Sequence, residues 1–401
     1  MKVLILSTYP VKKPFHGGQF RLANLIEVYK KVKFEIIQIS IYDPNVYHVN
    51  ETDKNDIPFP TVSSYRDLKK ISTQFVIDYL SGIYASQNKS ILNKIFNLVG
   101  QNIDLIHIEQ PWLIDLALII KKKFNNCKII FGSQNIECEL KGEIFQQYNL
   151  EKYNDCKKKY EEIKKLEIKA INESDLTLVV TENDQNWMEK NAAPRKFLLV
   201  PNGVNKIDSQ PYEIETLSER IGSEKYALFV ASAHPPNIKG FNTYIGDTLG
   251  CIPPDAKLVT AGSVSEHINN NLQNSRHRFI NDARFVFWGR IEQNTLNNLI
   301  SGAHAIILPI DVDTGSNLKT AEAILSEKYI ISSSNSFRGY ESYKNLSGIF
   351  FADNQTDFRR ALSKVFELPP LHRSNEEIEL SKHVMWEFVT QKFSNYLLQK
   401  S

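Results

Sequence analysis

Short, continuous apolar segments recur along the whole chain, and they constrain its fold more than any other feature. They are Val3–Leu6, Phe34–Ile39, Leu105–Ile108, Lys128–Phe131, Leu176–Val180, Phe197–Val200, Ala227–Ala231, Lys257–Ala261, Phe285–Trp288, Ala305–Leu308, Tyr329–Ser332 and Gly348–Phe351. Continuous rather than alternating apolar runs are typical of strands that are buried on both faces, as in parallel sheets covered by helices. Helical patterns lie between the segments, so the sequence predicts a doubly wound α/β architecture.

The chain has 401 residues, which is enough for two domains of about 150 residues or more each. The segment Pro201–Asn205 carries Pro-Asn-Gly turn chemistry, and a new strand–helix series begins after it. We therefore predict one domain over residues 1–200 and a second over residues 201–375. Residues 376–401 are predicted to form a terminal helix whose apolar stripe can pack on either domain.

Composition restricts the classes of partner. The formal charge is +2, from 48 basic and 46 acidic residues, which gives no basic excess for binding nucleic acid. The four cysteines have neither metal-ligand spacing nor a secretory signal before them, so reduced thiols in a cytoplasmic protein are expected. No apolar run approaches the ~18 residues that cross a bilayer, so any membrane contact is expected to be peripheral.

One segment near the C-terminus has the pattern of an anion site. The strand Ala305–Leu308 is followed by an acidic turn, and then by Gly315 and Ser316 at the start of an apolar-periodic helix. A helix start exposes backbone N–H groups, with the positive end of the helix dipole behind them. Lys319 and Glu322 are three residues apart, so they share a face of that helix. A nucleotide-sugar site needs such a pair, a cation for the diphosphate beside a carboxylate for the ribose hydroxyls. An ordinary capped helix with a solvated ion pair is the alternative.

Other candidate residues also follow predicted strands, at the edge where open α/β sheets bind ligands. After the first strand, His16, Gly17 and Gly18 begin a helix and would let a ligand approach the backbone. They lack the GxGxxG spacing of a dinucleotide site, so a plain turn between strand and helix is the alternative.

The loop after Ala227–Ala231 carries His234 and Lys239, and Lys239 could reach an anionic ligand. A proline-rich surface loop is the alternative for that segment. Arg290 and Ile291 follow the predicted strand Phe285–Trp288, and their backbone could face the base of a nucleotide.

The strand Leu105–Ile108 is followed by Glu109 and Trp112. Trp112 could stack on a sugar, or it could be a core residue.

Together these segments resemble the retaining glycosyltransferases of the GT-B fold, family 4, over nearly the whole chain. The matching pieces, in order, are Gly17-Gly18, Asp104–Pro111, Gln134–Glu137, Ser174–Leu176 with Thr181–Asp184, Val200–Val204, Pro236–Gly240, Gly262, Phe287–Gly289, Gly315–Glu322 and Trp386–Phe388.

The resemblance implies two Rossmann-like domains facing across a cleft, with the C-terminal helix crossing back to the first domain. It implies transfer of a sugar from a nucleotide-diphosphate donor to a glycan, lipid-linked or other hydroxyl acceptor, at the cytoplasm or the inner face of the membrane. No cofactor and no metal are expected, because cationic side chains and helix dipoles would neutralise the leaving diphosphate.

The resemblance also assigns roles to residues. Glu322 would hold the ribose hydroxyls and Lys239 the diphosphate, and Lys319 is the third residue expected at the catalytic centre. The donor side would further comprise Gly17, Gly18, His234, Arg290, Ile291, Gly315, Ser316, Asn317 and Leu318. The acceptor side would comprise Glu109, Trp112 and Gln134 of the first domain.

Three positions depart from the family pattern. Thr314 stands where the family has the first glutamate of an acidic pair, with Asp313 beside it. His234 replaces an arginine, and Gln134 replaces a histidine. These departures favour a rival function, a non-catalytic protein that binds sugar nucleotides. A second rival is a nucleotide-sugar 2-epimerase, which would need acid and base carboxylates in the cleft.

Overall fold

The computed structural model describes residues 1–60, 75–310 and 318–399. Internal contacts divide the chain into two compact units. The first comprises Met1–Pro201 and Thr390–Ser401, and the second comprises Asn202–Val389.

The first unit contains a parallel sheet in the order β3-β2-β1-β4-β5-β6-β7. Its strands are β1 (Lys2–Ser7), β2 (Glu35–Tyr42), β3 (Ile57–Pro58), β4 (Leu105–Glu109), β5 (Lys128–Gly132), β6 (Leu176–Val179) and β7 (Phe197–Leu199). Its helices include α1 (Gly17–Lys31), α2 (Ile77–Gln87), α3 (Lys89–Val99), α4 (Ile114–Lys123), α5 (Glu137–Gln147), α6 (Asn154–Glu173) and α7 (Glu182–Asn191).

The second unit contains a parallel sheet in the order β10-β9-β8-β11-β12-β13. Its strands are β8 (Lys225–Val230), β9 (Ala256–Ala261), β10 (Phe285–Phe287), β11 (Ala305–Leu308), β12 (Tyr329–Ser332) and β13 (Ile349–Phe351). Its helices include α8 (Pro211–Ile221), α9 (Pro235–Tyr244), α10 (Val264–Gln273), α11 (Arg278–Arg284), α12 (Gln293–Gly302), α13 (Leu318–Leu325), α14 (Gln355–Val365), α15 (Asn375–Lys382) and α16 (Trp386–Val389).

Both sheets are buried on both faces, which confirms the prediction of doubly wound α/β architecture. In β1, Leu4 and Leu6 pack into one hydrophobic cluster, whereas Val3 and Ile5 pack into another on the opposite face. The strands of the second unit divide between two clusters in the same way. Because successive side chains of a strand point to opposite faces, only continuous apolar runs can fill both clusters.

Each sheet has one position at which the strand order reverses. In the first unit it lies between β1 and β4, which pair in parallel, and in the second it lies between β8 and β11. The chain leaves neighbouring strands in opposite directions there, which opens a crevice beyond their carboxyl ends. The fold itself therefore provides one ligand-sized position on each unit.

The tail differs from the single helix that the sequence predicts over residues 376–401. The structure has three short helices there, α15, α16 and α17 (Gln391–Leu398). Only the segment from Thr390 belongs to the first unit, where Phe393 packs edge-on against Tyr29. The earlier part stays with the second unit because the backbone of Val204 bonds to Val384 and Trp386 on either side of a one-residue bridge.

The four cysteines are free, as expected. Within the described ranges, no helix combines the length and the apolar character that crossing a bilayer requires.

Candidate functional site

The crevice between β8 and β11 is bordered by α13, which presents two charged side chains on one face. Thr320, Ala321, Ala323 and Ile324 of this helix are buried against the unit. Because a helix turns about 100° per residue, this packing leaves Lys319 and Glu322 together on a different, half-buried face. The sequence spacing predicted that shared face.

A hydrogen bond joins this face to α9 across the crevice. Lys319 Nζ donates to Asn237 Oδ1 at 2.6 Å, and Asn237 Nδ2 donates to the carbonyl of Ser232 at 2.9 Å. The carbonyl of Ser232 only accepts, so the amide of Asn237 must present its oxygen to the lysine. Asn237 is the site residue that the sequence did not reveal, because nothing along the chain pairs residues 82 positions apart.

Burial shifts the protonation of both charged groups toward their neutral forms. It lowers the pKa of Lys319 from 10.5 to about 8, although Glu322 opposes the shift. It raises the pKa of Glu322 from 4.5 to about 7, although Lys319 opposes that shift too. Each charge thus lacks full compensation in the ligand-free protein, and an anion beside Lys319 would be stabilised.

The first turn of α9 cannot bind an anion through its backbone. Pro235 and Pro236 have no N–H, and the N–H groups of Asn237 and Ile238 donate to the carbonyl of His234 at 2.9 and 3.4 Å. Any positive charge at this end of the crevice must therefore come from side chains. His234 adds little, because burial and then the charge of Lys319 lower its pKa below 6.5.

The other predicted donor-side residues are placed as follows. Lys239 is exposed on α9, and Arg290 is exposed after β10. Ile291 and Leu318 pack against a hydrophobic cluster of the unit, so their side chains have a structural role. Gly315, Ser316 and Asn317, together with Asp313 and Thr314, lie outside the described residues.

Gly262 brings the loops that follow β8, β9 and β10 together. Its φ is +93°, and a Cβ there would lie 2.1 Å from the carbonyl oxygen of Ala231. Its N–H donates to the carbonyl of Gly289 at 2.6 Å. Only glycine allows this close approach, which explains its place at the rim of the crevice.

In the first unit, the Gly17-Gly18 turn begins α1 and is packed against Gln134. His16 caps the helix, and its Nδ1 accepts from the N–H of Gln19 at 3.4 Å. A Cβ on Gly18 would lie 2.5 Å from Gln134 Oε1. The structure thus brings together Gly18 and Gln134, which are 116 positions apart in the sequence.

A buried carboxylate holds Gln134 in place. Gln134 Nε2 donates to Glu109 Oε1 at 2.8 Å and also to the hydroxyl of Tyr9. Glu109 is itself held by His107 Nε2 at 2.9 Å and Arg21 Nε at 3.5 Å. Since the carboxylate only accepts hydrogen bonds, the amide of Gln134 has one orientation, with Oε1 directed away from Glu109.

Two acceptor-side predictions need correction. Trp112 cannot stack on a sugar, because its side chain is 1% exposed and lies in the hydrophobic core. Gly82 of α2 packs directly on its backbone, where a Cβ would lie 2.0 Å from the Trp112 carbonyl oxygen. Glu109 is fully buried, so it cannot contact an acceptor; its carboxylate accepts from Gln134 instead.

A cavity of about 420 Å³ opens at the β1/β4 crevice of the first unit. Its lining includes Thr8 and Tyr9 after β1, Gln110 after β4, and Gln134 after β5. His16, Tyr47, Asp78 and Lys141 also line it. Among residues 1–60, 75–310 and 318–399, no three His, Cys, Asp or Glu side chains gather as a metal site would require.

Comparison with known proteins gives no match to a protein-family model and none to a curated protein sequence. Solved structures do match over the full chain. Anabaena Alr3699/HepE in complex with UDP is 12% identical, with a TM-score of 0.68 and 100% of both chains covered.

Sucrose-phosphate synthase from Thermosynechococcus elongatus is 14% identical at a TM-score of 0.68, over 100% of this chain and 99% of that chain. The catalytic domain of starch synthase IV from Arabidopsis thaliana, bound to ADP and acarbose, is 12% identical at a TM-score of 0.62. The match covers 99% of this chain and 98% of that chain. The fold is therefore GT-B, as the sequence predicted.

Proposed function

We propose that this protein is a glycosyltransferase whose nucleotide-diphosphate sugar binds at the β8/β11 crevice. The observation that carries the proposal is the half-buried ammonium of Lys319, held by Asn237 and only partly compensated by Glu322. A bound diphosphate would pair with this ammonium. The negative charge of the diphosphate would offset the hydration that the ammonium loses on burial. The structures of similar fold that contain UDP or ADP support this choice of ligand.

The roles follow from charge and position. Lys319 would bind the diphosphate, with Lys239 as a second cation on α9. Glu322 would accept hydrogen bonds from the ribose hydroxyls, one helical turn further along α13. The residues Gly315, Ser316 and Asn317 belong to the same predicted donor side.

The proposed reaction replaces one glycosidic bond by another. The bond between the anomeric carbon and the leaving diphosphate oxygen breaks, while the acceptor hydroxyl oxygen bonds to that carbon. The hydroxyl proton passes to the leaving diphosphate, and the configuration is retained because both events occur on one face. The protein supplies orientation and charge stabilisation, so neither a metal nor a cofactor is proposed.

The acceptor would bind in the first unit through a hydroxyl group of a glycan or a lipid-linked sugar. Gln134 is the acceptor-side residue of the sequence prediction that lines a cavity there. We place the protein in the cytoplasm, with peripheral membrane contact for a lipid-linked acceptor.

A non-catalytic sugar-nucleotide binding protein is the second candidate. His234 favours it, because a neutral imidazole stands where the resembling family has a cationic arginine. The crevice then has one cation fewer to stabilise the leaving group.

A turnover assay separates the functions. The full-length protein would be incubated with UDP-, GDP- and ADP-sugars, with and without a mixture of glycan and lipid-linked acceptors. Free nucleoside diphosphate with a glycosylated product of retained configuration supports the proposal. An epimerised donor would contradict it, and so would tight nucleotide binding without any product across the panel.

A further inference from the structure

The cavity at the β1/β4 crevice contains two carboxylates, and its one described cation is neutralised. Lys141 Nζ lies 3.1 Å from Asp78 Oδ2, and their side chains are 10% and 28% exposed. Asp43 also lines the cavity, and its Oδ1 accepts from the N–H of Asn45 at 2.9 Å. Among the described lining residues the formal charge is therefore negative, with Lys141 as the sole Lys or Arg.

His16 lines the same cavity but does not add a positive charge. Its Nδ1 accepts from a backbone N–H, so its proton lies on Nε2, which contacts the hydroxyl of Tyr47 at 2.9 Å. Burial lowers the pKa of His16 to about 4, so the imidazole is neutral at pH 7. The hydroxyl of Tyr47 accepts a hydrogen bond from this N–H, so its own hydrogen can be donated to another partner.

Gln134 contributes an acceptor of fixed orientation. Its amide nitrogen donates to Glu109 and Tyr9, so Oε1, which lies beside Gly18, is its acceptor atom. With the carboxylates of Asp43 and Asp78, the described lining of the cavity presents several hydrogen-bond acceptors. Ile41, Phe75 and Ile77 add an apolar wall.

We propose that this cavity binds the acceptor as an uncharged, hydroxyl-rich sugar ring and rejects sugars that carry a phosphate or a carboxylate. Hydroxyl groups can donate to the carboxylates and to Gln134, while the apolar face of a ring packs on the hydrophobic wall. An anionic group would lose its hydration beside two carboxylates and meet a lysine that is already paired. That the bound sugar is the acceptor rests on the proposed function, whereas the selectivity of the cavity for uncharged sugars does not.

Binding is measured without donor, by saturation-transfer NMR on the full-length protein. The probes are glucose, galactose, mannose and N-acetylglucosamine, each matched with its 6-phosphate, and glucuronate matched with glucose. At least one neutral sugar should bind about tenfold or more tightly than its charged counterpart. Equal or tighter binding of the charged counterparts would overturn the proposal, as would the failure of every neutral sugar to bind.

Charge variants test the cause of this selectivity. Asp78→Asn removes the carboxylate that pairs with the ammonium of Lys141, so the preference should shift toward 6-phosphates by about tenfold. Asp78→Asn combined with Lys141→Met removes both charges and should restore the preference for neutral sugars. The control is Asp115→Asn, which removes the acidic partner of Lys169 from an exposed pair at 2.7 Å.

An unchanged preference in Asp78→Asn, with the variant folded, would contradict the proposal. The result is independent of the donor site, because no nucleotide is present in the assay. If nucleotides fail to bind, the proposed function falls while sugar selectivity is still measured. If transfer occurs to phosphosugars, the function stands and this inference falls.

Discussion

Replacing Lys319 with methionine should stabilise the ligand-free protein while it weakens nucleotide binding. Burial lowers the pKa of this lysine from 10.5 to about 8. At roughly 1.4 kcal/mol per pH unit, the folded protein holds the charged ammonium about 3.5 kcal/mol less favourably than water does. The variant also loses the hydrogen bond to Asn237, which is worth about 1 kcal/mol. We therefore expect the free energy of unfolding to rise by about 2–3 kcal/mol.

The pH dependence of this gain has a definite sign. A lysine whose pKa is lower in the folded state destabilises the fold wherever it is charged in both states, that is, below about pH 8. The gain in Lys319→Met should therefore be complete below about pH 8 and disappear as the pH rises to 10.5. A lysine that stabilises the fold through an ion pair would give the opposite result, a loss of stability in the variant.

Nucleotide affinity should move in the other direction. A charge-assisted hydrogen bond to a diphosphate is worth about 1.5–3 kcal/mol, so the Kd for the bound nucleotide should rise by about 10- to 150-fold. Urea unfolding and calorimetric titration with UDP, GDP and ADP measure the two effects. Lys328→Met is the matched control, because burial also lowers the pKa of Lys328 but that residue lies before β12, away from the crevice. A destabilised Lys319→Met with unchanged nucleotide affinity would refute the reasoning.

Four further substitutions test the two units. Glu322→Gln should weaken donor binding by about 10- to 100-fold. Because burial raises the pKa of that carboxyl, the variant should also stabilise the ligand-free protein above about pH 7 but not below 4.5. Titration calorimetry measures the donor affinity, and urea unfolding at several pH values measures the stability. Lys239→Ala should abolish turnover while His234→Ala reduces it less near pH 7, and the reverse ranking in a transfer assay would give His234 the main phosphate role. Gly18→Ala places a Cβ 2.5 Å from Gln134 Oε1 and should lower stability by about 1–2 kcal/mol, whereas an unchanged urea midpoint would show that Gln134 moves freely.

The sequence predicted most of the fold because continuous burial leaves a local signal. Each predicted apolar segment overlaps a strand of the structure. The strand it missed, β3, is two residues long and ends in Pro58, so it offers no apolar run. The prediction of a single terminal helix was partly wrong. No local sequence pattern shows that the backbone of Val204 holds Met385 and its neighbours to the second unit.

The sites were predictable only where their residues are close in sequence. Spacing placed Lys319 and Glu322 on one face, but it could not show their burial or the bond to Asn237 from another helix. Trp112 shows a second limit of the sequence. An aromatic residue after a strand has the same sequence pattern whether its side chain faces a ligand or the core. Glu109 was predicted to contact the acceptor for the same reason, although it is buried and bonded to Gln134.

A crystal structure of the protein with a nucleoside diphosphate tests the proposed donor site most directly. We expect the diphosphate within hydrogen-bonding distance of Lys319 Nζ and the ribose hydroxyls on the carboxylate of Glu322, beyond the carboxyl ends of β8 and β11. A nucleotide bound elsewhere, with Lys319 still donating to Asn237 and neither side chain in contact with it, would contradict the account.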